Sequence, residues 1–161
     1  WDLGGATLIA RPLMSGKDLP LAFVDTNILL YAHDHQAGEK QVIAAKLLAS
    51  LWEDRRGTLS PQVLQEFLVN AIRKLEHPLA LAQARDIVRA YGAWVARDTS
   101  VDDILRATEL MELTGYSFWD SLILASAESS GAEWLYSEDM QHGHKVVGLE
   151  ICNPFMHVNR V

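Results

Sequence analysis

Cysteine is almost absent from this chain: among its 161 residues only Cys152 is one, which excludes a disulfide framework within the chain. A single thiol fits a reducing compartment, so we expect a cytoplasmic protein in which Cys152 is a buried structural residue. The sequence also lacks an apolar run long enough to cross a bilayer, and we therefore expect no membrane partner.

Positive charge is scarce as well. Lysine and arginine number 14 against 21 aspartates and glutamates, which gives a formal net charge of −7. This balance excludes a broad basic surface that holds nucleic acid by neutralising phosphates alone. A protein of this charge that handles RNA or DNA needs bound cations or a local basic patch. The G-x-S-x-G, Walker A and G-x-G-x-x-G motifs are missing too, which speaks against the enzyme classes that depend on them.

What the sequence does contain is enough apolar material for one core. Hydrophobic residues make up 49% of the chain, and its length suits a single domain, which we place at residues 21–161. Residues 1–20 are interpreted as a leader added for expression or, alternatively, as an arm or grafted partner segment that docks on the domain. They lack the basic start and the long apolar core of a signal peptide.

Short apolar segments alternate with stretches of helical periodicity along the domain. The predicted strands are residues 21–24, 58–60, 94–96, 133–137 and 146–155. The predicted helices are residues 39–56, 61–75, 78–91, 100–113 and 117–130. This alternation predicts an α/β protein with three layers, α/β/α, around a central parallel sheet.

Four acidic residues follow or face the carboxyl ends of these strands, where sites gather in open parallel sheets. Asp25 ends the first strand, and Asp139 follows the strand at residues 133–137. Asp120 lies in the first turn of its helix, and Glu66 lies on the polar stripe of the helix that begins at Pro61. Four carboxylates that meet without a cation would repel one another. Oxygen ligands favour Mg²⁺ or Mn²⁺ over zinc.

Each acid taken alone also has a purely structural explanation. Asp25 could cap the helix that follows it, and Asp120 could complete a capping box that begins at Ser117. Glu66 could be a solvated glutamate, and Asp139 could be an ordinary turn residue. The metal-site interpretation therefore depends on the joint pattern of the four residues.

Several segments in order resemble one known family. The stretches "FVDTNILLYA", "SPQVLQEFLVNAIRK", "YSFWDSLILASAESSGAEWLYSEDMQHG" and "ICNPF" are similar to PIN-domain ribonucleases, and specifically to VapC-like toxins of type II toxin-antitoxin systems. The resemblance covers nearly everything from Leu21 to Phe155. It implies a PIN-like fold and a toxin that cuts RNA phosphodiester bonds as a metal-dependent endoribonuclease.

The resemblance also implies roles for individual residues and partners. Asp25, Glu66, Asp120 and Asp139 would be the catalytic ligands of Mg²⁺ or Mn²⁺, and Asn27 and Ser137 would support them from outside the ligand set. Expected partners are the RNA substrate, a cognate antitoxin and a second copy in a homodimer. If residues 1–13 were an antitoxin-like segment, Arg11 would occupy the metal site.

Other residues leave alternatives open. Arg73 and Lys74 are candidates for binding the substrate phosphates, with Arg55, Arg56 and Lys145 as further candidates. Trp119 could stack on a base or belong to the core. Glu138, beside Asp139, could share or replace its role. These alternatives concern the contacts around the carboxylates.

Three other functions compete with the nuclease interpretation. The pairs His33/His35 and His142/His144 raise zinc chemistry, but no third ligand stands at a suitable spacing. A phosphatase with an aspartate nucleophile needs a second acid two residues after the first, where this chain has Asn27. A catalytically silent RNA- or partner-binding module with the same fold is the main alternative.

Overall fold

The computed structural model describes residues 19–157. One sheet is built of β1 (Ala22–Val24), β2 (Gly57–Thr58), β3 (Trp134–Tyr136), β4 (Lys145–Val146) and β5 (Leu149–Cys152), in the order β2-β1-β3-β5-β4. The helices are α1 (Thr26–His33), α2 (Glu39–Glu53), α3 (Pro61–Arg73), α4 (Leu81–Tyr91), α5 (Val101–Thr114) and α6 (Phe118–Ser129). Residues 1–18 of the predicted leader, Arg11 among them, lie outside the described residues.

The sheet is parallel except at one edge. β1 pairs in parallel with β2 and β3, and β3 pairs in parallel with β5, whereas β4 runs antiparallel to β5. Helices flank this sheet, so the predicted three-layer α/β/α fold is confirmed. Within residues 19–157 no helix is both long and apolar enough to cross a membrane.

β1 lies between β2 and β3 in the sheet and leads directly to Asp25. Its three residues are at most 1% exposed, as expected for a strand covered on both faces. The strand ends at Asp25, whose N–H donates to the carbonyl of Tyr136 on β3 at 3.0 Å. The carboxylate of Asp25 is therefore fixed at the carboxyl edge of the sheet.

The helices that carry the other acids are anchored by burial. α6 buries every residue from Ser121 to Ala127, and α5 packs along it. α3 begins with Pro61 in the first helical turn, where the missing N–H costs nothing, and it packs against α1 and α4. Asp120 and Glu66 thus lie on helices with little freedom to move relative to the sheet.

One predicted strand is wrong. Residues 94–96 were expected to form a strand, but Gly92–Trp94 is a 3-10 helix and only Val95 bridges to Leu59. The reason is the side chain of Trp94, which lies over the backbone of Gly57 at the edge of the sheet. A Cβ at Gly57 would lie 2.5 Å from that ring, so only glycine allows this approach.

The predicted strand at residues 146–155 is two strands. β4 and β5 are joined by Val147 and Gly148, whose φ angles are +46° and +85°. Two successive positive φ angles suit the tight turn of a hairpin. The apolar run conceals this turn because Val147 is an unusual residue for a positive φ.

Candidate active site

Asp25 is a buried helix cap at the carboxyl edge of the sheet. It is the N-cap of α1, and its Oδ1 accepts from the N–H of Thr26 at 2.7 Å. Its Oδ2 accepts from the hydroxyl of Ser137 at 2.7 Å and from the amide of Asn27 at 3.3 Å. The cap expected for Asp25 is present, and it engages only one of the two carboxylate oxygens.

Asn27 and Ser137 join Asp25 to Asp139. The Asn27 side-chain amide donates to Asp139 Oδ2 at 3.0 Å as well as to Asp25. Ser137, which is fully buried, donates to Asp25 and accepts from the N–H of Asp139 at 3.2 Å. These two residues fix the separation of the carboxylates that follow β1 and β3.

Glu66 is held by two residues that sequence reasoning did not assign to the site. Thr26 donates from its hydroxyl to Glu66 Oε2 at 2.6 Å, and Gln62 donates from its amide to Glu66 Oε1 at 2.9 Å. Glu66 is therefore not a freely solvated side chain. Two features of the sequence could have indicated these contacts: Thr26 directly follows Asp25, and Gln62 lies one helical turn before Glu66.

Asp120 lies in the first turn of α6, as predicted. Ser117 is the N-cap of this helix, and its hydroxyl accepts from the N–H of Asp120 at 3.2 Å. Burial raises the pKa of Asp120, its contact with Ser117 lowers it, and the charges of Asp139 and Glu66 raise it further. Since those two charges act on Asp120, all four predicted carboxylates belong to one electrostatic neighbourhood. We call this set the carboxylate site: Asp25, Glu66, Asp120 and Asp139.

The carboxylate site has negative charge without a protein cation to balance it. Within residues 19–157, none of the four acids forms an ion pair with lysine or arginine. Burial raises the pKa of Asp25 to about 7; the bonds from Ser137 and Thr26 oppose this shift, and the charges of Asp139 and Glu66 add to it. Most of this shift comes from burial and a smaller part from the neighbouring charges, and an external cation would offset both by stabilising the ionised form.

The donor chemistry of the site suits a hard divalent cation. All four groups offer oxygen, which Mg²⁺ and Mn²⁺ prefer. Among the described residues, however, no three His, Cys, Asp or Glu side chains are already closed around a common metal position. Asp25, Glu66 and Asp139 are instead held by neighbouring donors, so the oxygen atoms suit a divalent cation in kind but are not gathered around one position.

Glu138 has a different role from the one considered for it. Its carboxylate forms an ion pair with Lys40 and accepts from the hydroxyl of Tyr31 at 2.6 Å. Its N–H donates to Asn27 Oδ1 at 3.3 Å. Glu138 thereby orients Asn27 through its backbone, while its side chain is directed to α1 and α2.

The basic candidates differ in their placement. Lys74, at the end of α3, lines a cavity of about 400 Å³ that also contains Glu66, whereas Arg73 is exposed outside its lining. Arg56 precedes β2 and binds the carbonyl of Pro20 at 3.0 Å, so it lies at the opposite, amino edge of the sheet. Of the two substrate-binding candidates, Lys74 is the one beside the carboxylate site.

Histidines and the cysteine make contacts away from the carboxylates. His142 Nδ1 accepts from the N–H of Asn153 at 3.0 Å, and His144 Nδ1 lies 2.9 Å from the hydroxyl of Tyr116. His33 packs edge-on against Phe67 and burial lowers its pKa. Cys152 is buried in β5. The contacts of His142 and His144 stabilise the loop after β3, whereas His33 and Cys152 pack against the core.

Comparison with known proteins adds a family and several similar folds. Residues 22–145 match the family model of the PIN domain. No curated protein sequence matches the chain significantly. A toxin-antitoxin complex from Klebsiella pneumoniae superimposes with a TM-score of 0.60 at 20% identity, covering 83% of this chain and 97% of the other.

Two further complexes have a similar fold. FitAB bound to an IR36 DNA fragment gives a TM-score of 0.61 at 16% identity, over 84% of this chain and 96% of the other. VapBC2 from Rickettsia felis, bound to a DNA fragment from its promoter, gives 0.55 at 18% identity, over 81% and 96%. At these identities the similarity establishes the fold.

Proposed function

Because this chain belongs to the PIN domain family, we propose that it is a Mg²⁺- or Mn²⁺-dependent endoribonuclease, the toxin of a toxin-antitoxin pair. One observation carries the proposal: four carboxylates from separate elements share one edge of the sheet without a balancing cation, and burial raises the pKa of Asp25 to about 7. Carboxylates with strongly raised pKa values cluster at functional sites, which supports the proposal.

The carboxylate site would hold the metal. Asp25 would be the central ligand, with Asp120 and Asp139 beside it, and Glu66 would bind a second ion or position the attacking water. A bound divalent cation lowers the pKa of water and stabilises charge on the phosphate oxygens during phosphodiester hydrolysis. It would also offset the charge that raises the pKa of Asp25, so that this residue is ionised at neutral pH.

The remaining residues orient these carboxylates. Ser137 and Asn27 set the direction of Asp25 and Asp139, while Thr26 and Gln62 fix both oxygens of Glu66. A carboxylate held in this way loses little rotational freedom when it accepts a proton from water or contacts a cation. The water oxygen forms a bond to phosphorus, and the bond from phosphorus to the departing ribose oxygen breaks.

The polyanionic substrate needs local positive charge because the chain as a whole is acidic. Lys74 supports the proposal best because it lines the cavity that contains Glu66, and Arg73 is its neighbour on the exposed end of α3. Both are proposed to bind phosphates that flank the scissile bond.

The proposal includes two protein partners and a compartment. An antitoxin would cover the carboxylate site, and a second copy would bind through α5, where exposed apolar side chains such as Leu105 and Leu113 support an interface. We place the protein in the cytoplasm, in keeping with its single buried thiol. Light scattering should give the mass of a dimer for the chain and of a monomer for Leu105→Glu; a monomeric wild type would contradict the homodimer.

The deciding experiment is RNA cleavage by wild type, Asp25→Asn and Asp103→Asn. Asp103 is a matched control because it is as buried as Asp25, at 6% against 4% exposure, and pairs with Arg97 away from the site. We expect cutting with Mg²⁺ or Mn²⁺, none with EDTA, and a loss of at least about 100-fold in Asp25→Asn alone.

The outcome also separates the two candidate functions. Equal cutting by wild type and Asp25→Asn would contradict the proposed mechanism. If wild type cuts no transfer, ribosomal or messenger RNA but binds RNA in a titration, the chain is the catalytically silent binding module.

A further inference from the structure

Trp119 is a large aromatic residue that the proposed reaction does not use. It directly precedes Asp120, and it is 62% exposed. Its neighbour Phe118 supplies the core contact at the start of α6 and meets the Trp119 ring edge-on, with 5.2 Å between ring centroids. The interpretation of Trp119 as a core residue is therefore wrong, and its exposed indole needs another explanation.

A cavity of about 400 Å³ lies between Trp119 and α3. Its lining is Gln62, Gln65, Glu66, Val69, Asn70, Lys74 and Trp119. Val69 is apolar and 48% exposed, so the cavity has apolar surface on α3 as well as on Trp119. Its other wall residues offer side-chain amides, the carboxylate of Glu66 and, at the end of α3, the cation of Lys74.

The cavity borders the carboxylate site directly, because Glu66 lines it, and Gln62 connects Glu66 to the backbone of Trp119. The Gln62 amide donates to Glu66 Oε1 at 2.9 Å and also to the carbonyl of Trp119 at 3.3 Å. Gln62 is only 6% exposed, so this link is fixed inside the protein. A ligand in the cavity is thus held at a set distance from Glu66 and Asp120.

From this arrangement we propose that the cavity binds one unpaired nucleobase of the RNA, next to the phosphate at the carboxylate site. The inference rests on the proposed nuclease function. The face of Trp119 would stack on the base, Gln65 and Asn70 would contact its polar edge, and Lys74 would bind an adjacent phosphate. The lining suits a nucleotide: apolar and amide groups where the base lies, Lys74 for a phosphate at one end, and Glu66 at the boundary with the carboxylate site.

The same geometry sets the class of RNA. In a duplex the base faces are stacked and the edges are paired, so no base reaches a side pocket unless it leaves the helix. An unpaired segment, such as a loop or a single strand, presents its bases without this cost. The protein would therefore select unpaired RNA, with a base preference set at this cavity.

Binding is measured without cleavage by titrating labelled single-stranded RNA octamers with the protein in EDTA and following their fluorescence anisotropy. In wild type a base stacked on Trp119 should also quench tryptophan fluorescence. We expect affinity to fall about 10- to 100-fold in Trp119→Ala, because the base loses its stacking partner, and to return largely in Trp119→Phe. Lys74→Met should reduce the salt dependence by about one phosphate contact.

The matched control is Trp52→Phe, which changes a tryptophan that is 45% exposed and packs against Tyr91 and Trp94, away from the cavity. Its affinity and quenching should equal those of wild type. The inference is overturned if Trp119→Ala binds octamers as tightly as wild type does, or if wild type binds an RNA duplex as tightly as a single strand. It is also overturned if Trp119→Ala loses affinity for the antitoxin but not for RNA.

Cleavage with Mg²⁺ then distinguishes this inference from the proposed function. If wild type and Trp119→Ala cut the same RNA at the same positions and rates, the base site is wrong while the nuclease function stands. If wild type does not cut RNA but Trp119→Ala binds octamers more weakly than wild type does, the nuclease function fails and the base site stands.

Discussion

The helices α5 and α6 begin with the same pattern, Ser-x-x-Asp, yet their aspartates are in opposite situations. At α5, Asp103 Oδ2 accepts from the N–H of Ser100 at 2.7 Å, and Asp103 Oδ1 pairs with Arg97 at 3.2 Å. Burial alone would raise the pKa of Asp103, but the bonds from Ser100 and the charge of Arg97 outweigh it and lower the pKa. The charge of this carboxylate is therefore balanced by the N–H of Ser100 and by Arg97.

At α6 the equivalent carboxylate is left open. Ser117 caps the helix through its hydroxyl, but the charges near Asp120 are those of Asp139 and Glu66, and its pKa is raised. Asp25 is the stronger case because it is almost completely buried. The comparison teaches that a shared capping pattern does not reveal purpose: the sign of the neighbouring charge does.

The largest expected effect concerns the pH dependence of stability. A pKa of about 7 for folded Asp25, against 3.8 when unperturbed, means that folding favours the neutral form. The contribution of Asp25 to stability should therefore fall as pH rises from 4 to 7, by about 1.4 kcal/mol per pH unit. Asp25→Asn lacks this loss, so its advantage over metal-free wild type should grow by about 3 kcal/mol between pH 5 and 8, measured by urea unfolding.

Asp103→Asn is the control for this measurement. Its carboxyl pKa is lowered, so Asp103 contributes stability above the unfolded pKa, and this is lost only as pH falls below about 4. The difference between Asp103→Asn and wild type should stay constant from pH 5 to 8. A constant difference for Asp25→Asn as well would show that Asp25 is not the strained carboxylate.

The second effect compares the two helix starts directly. Asp103→Ala removes the buried carboxylate that accepts from the N–H of Ser100, and it leaves Arg97 without its partner. This should lower the free energy of unfolding by about 2–3 kcal/mol. Asp120→Ala removes a carboxylate that is repelled by its neighbours, and stability should stay within about 1 kcal/mol of wild type. Equal losses in the two variants would break the contrast between a closed and an open carboxylate.

The smallest expected effect is on metal affinity. Ser137→Ala removes the hydroxyl that orients Asp25, and affinity for Mn²⁺ should fall about tenfold in calorimetric titration. Ser126→Ala is a suitable control because Ser126 is also a buried serine but belongs to the middle of α6. If both variants bind Mn²⁺ as wild type does, Ser137 does not position a ligand.

The sequence predicted the fold well where burial follows a simple period. Residues 21–24 read as a strand covered on both faces, and β1 is one; α3 follows its apolar stripe, and α6 begins after the predicted cap Ser117. The prediction failed at residues 94–96 because the side chain of Trp94 packs over Gly57, a contact between segments that local spacing does not contain. The hairpin turn at Val147 was concealed for a different, local reason: valine rarely adopts a positive φ.

The sequence by itself determined which acids follow strands, Asp25 and Asp139, which lie on helices, Glu66 and Asp120, and how scarce positive charge is in the chain. It also determined the layers, because hydrophobic periodicity acts locally. Only the tertiary structure decided that Glu138 turns to Lys40, that Thr26 and Gln62 hold Glu66, and that Trp119 is exposed beside a cavity. These outcomes depend on distances between segments far apart in the chain, and such distances are set by packing rather than by sequence spacing.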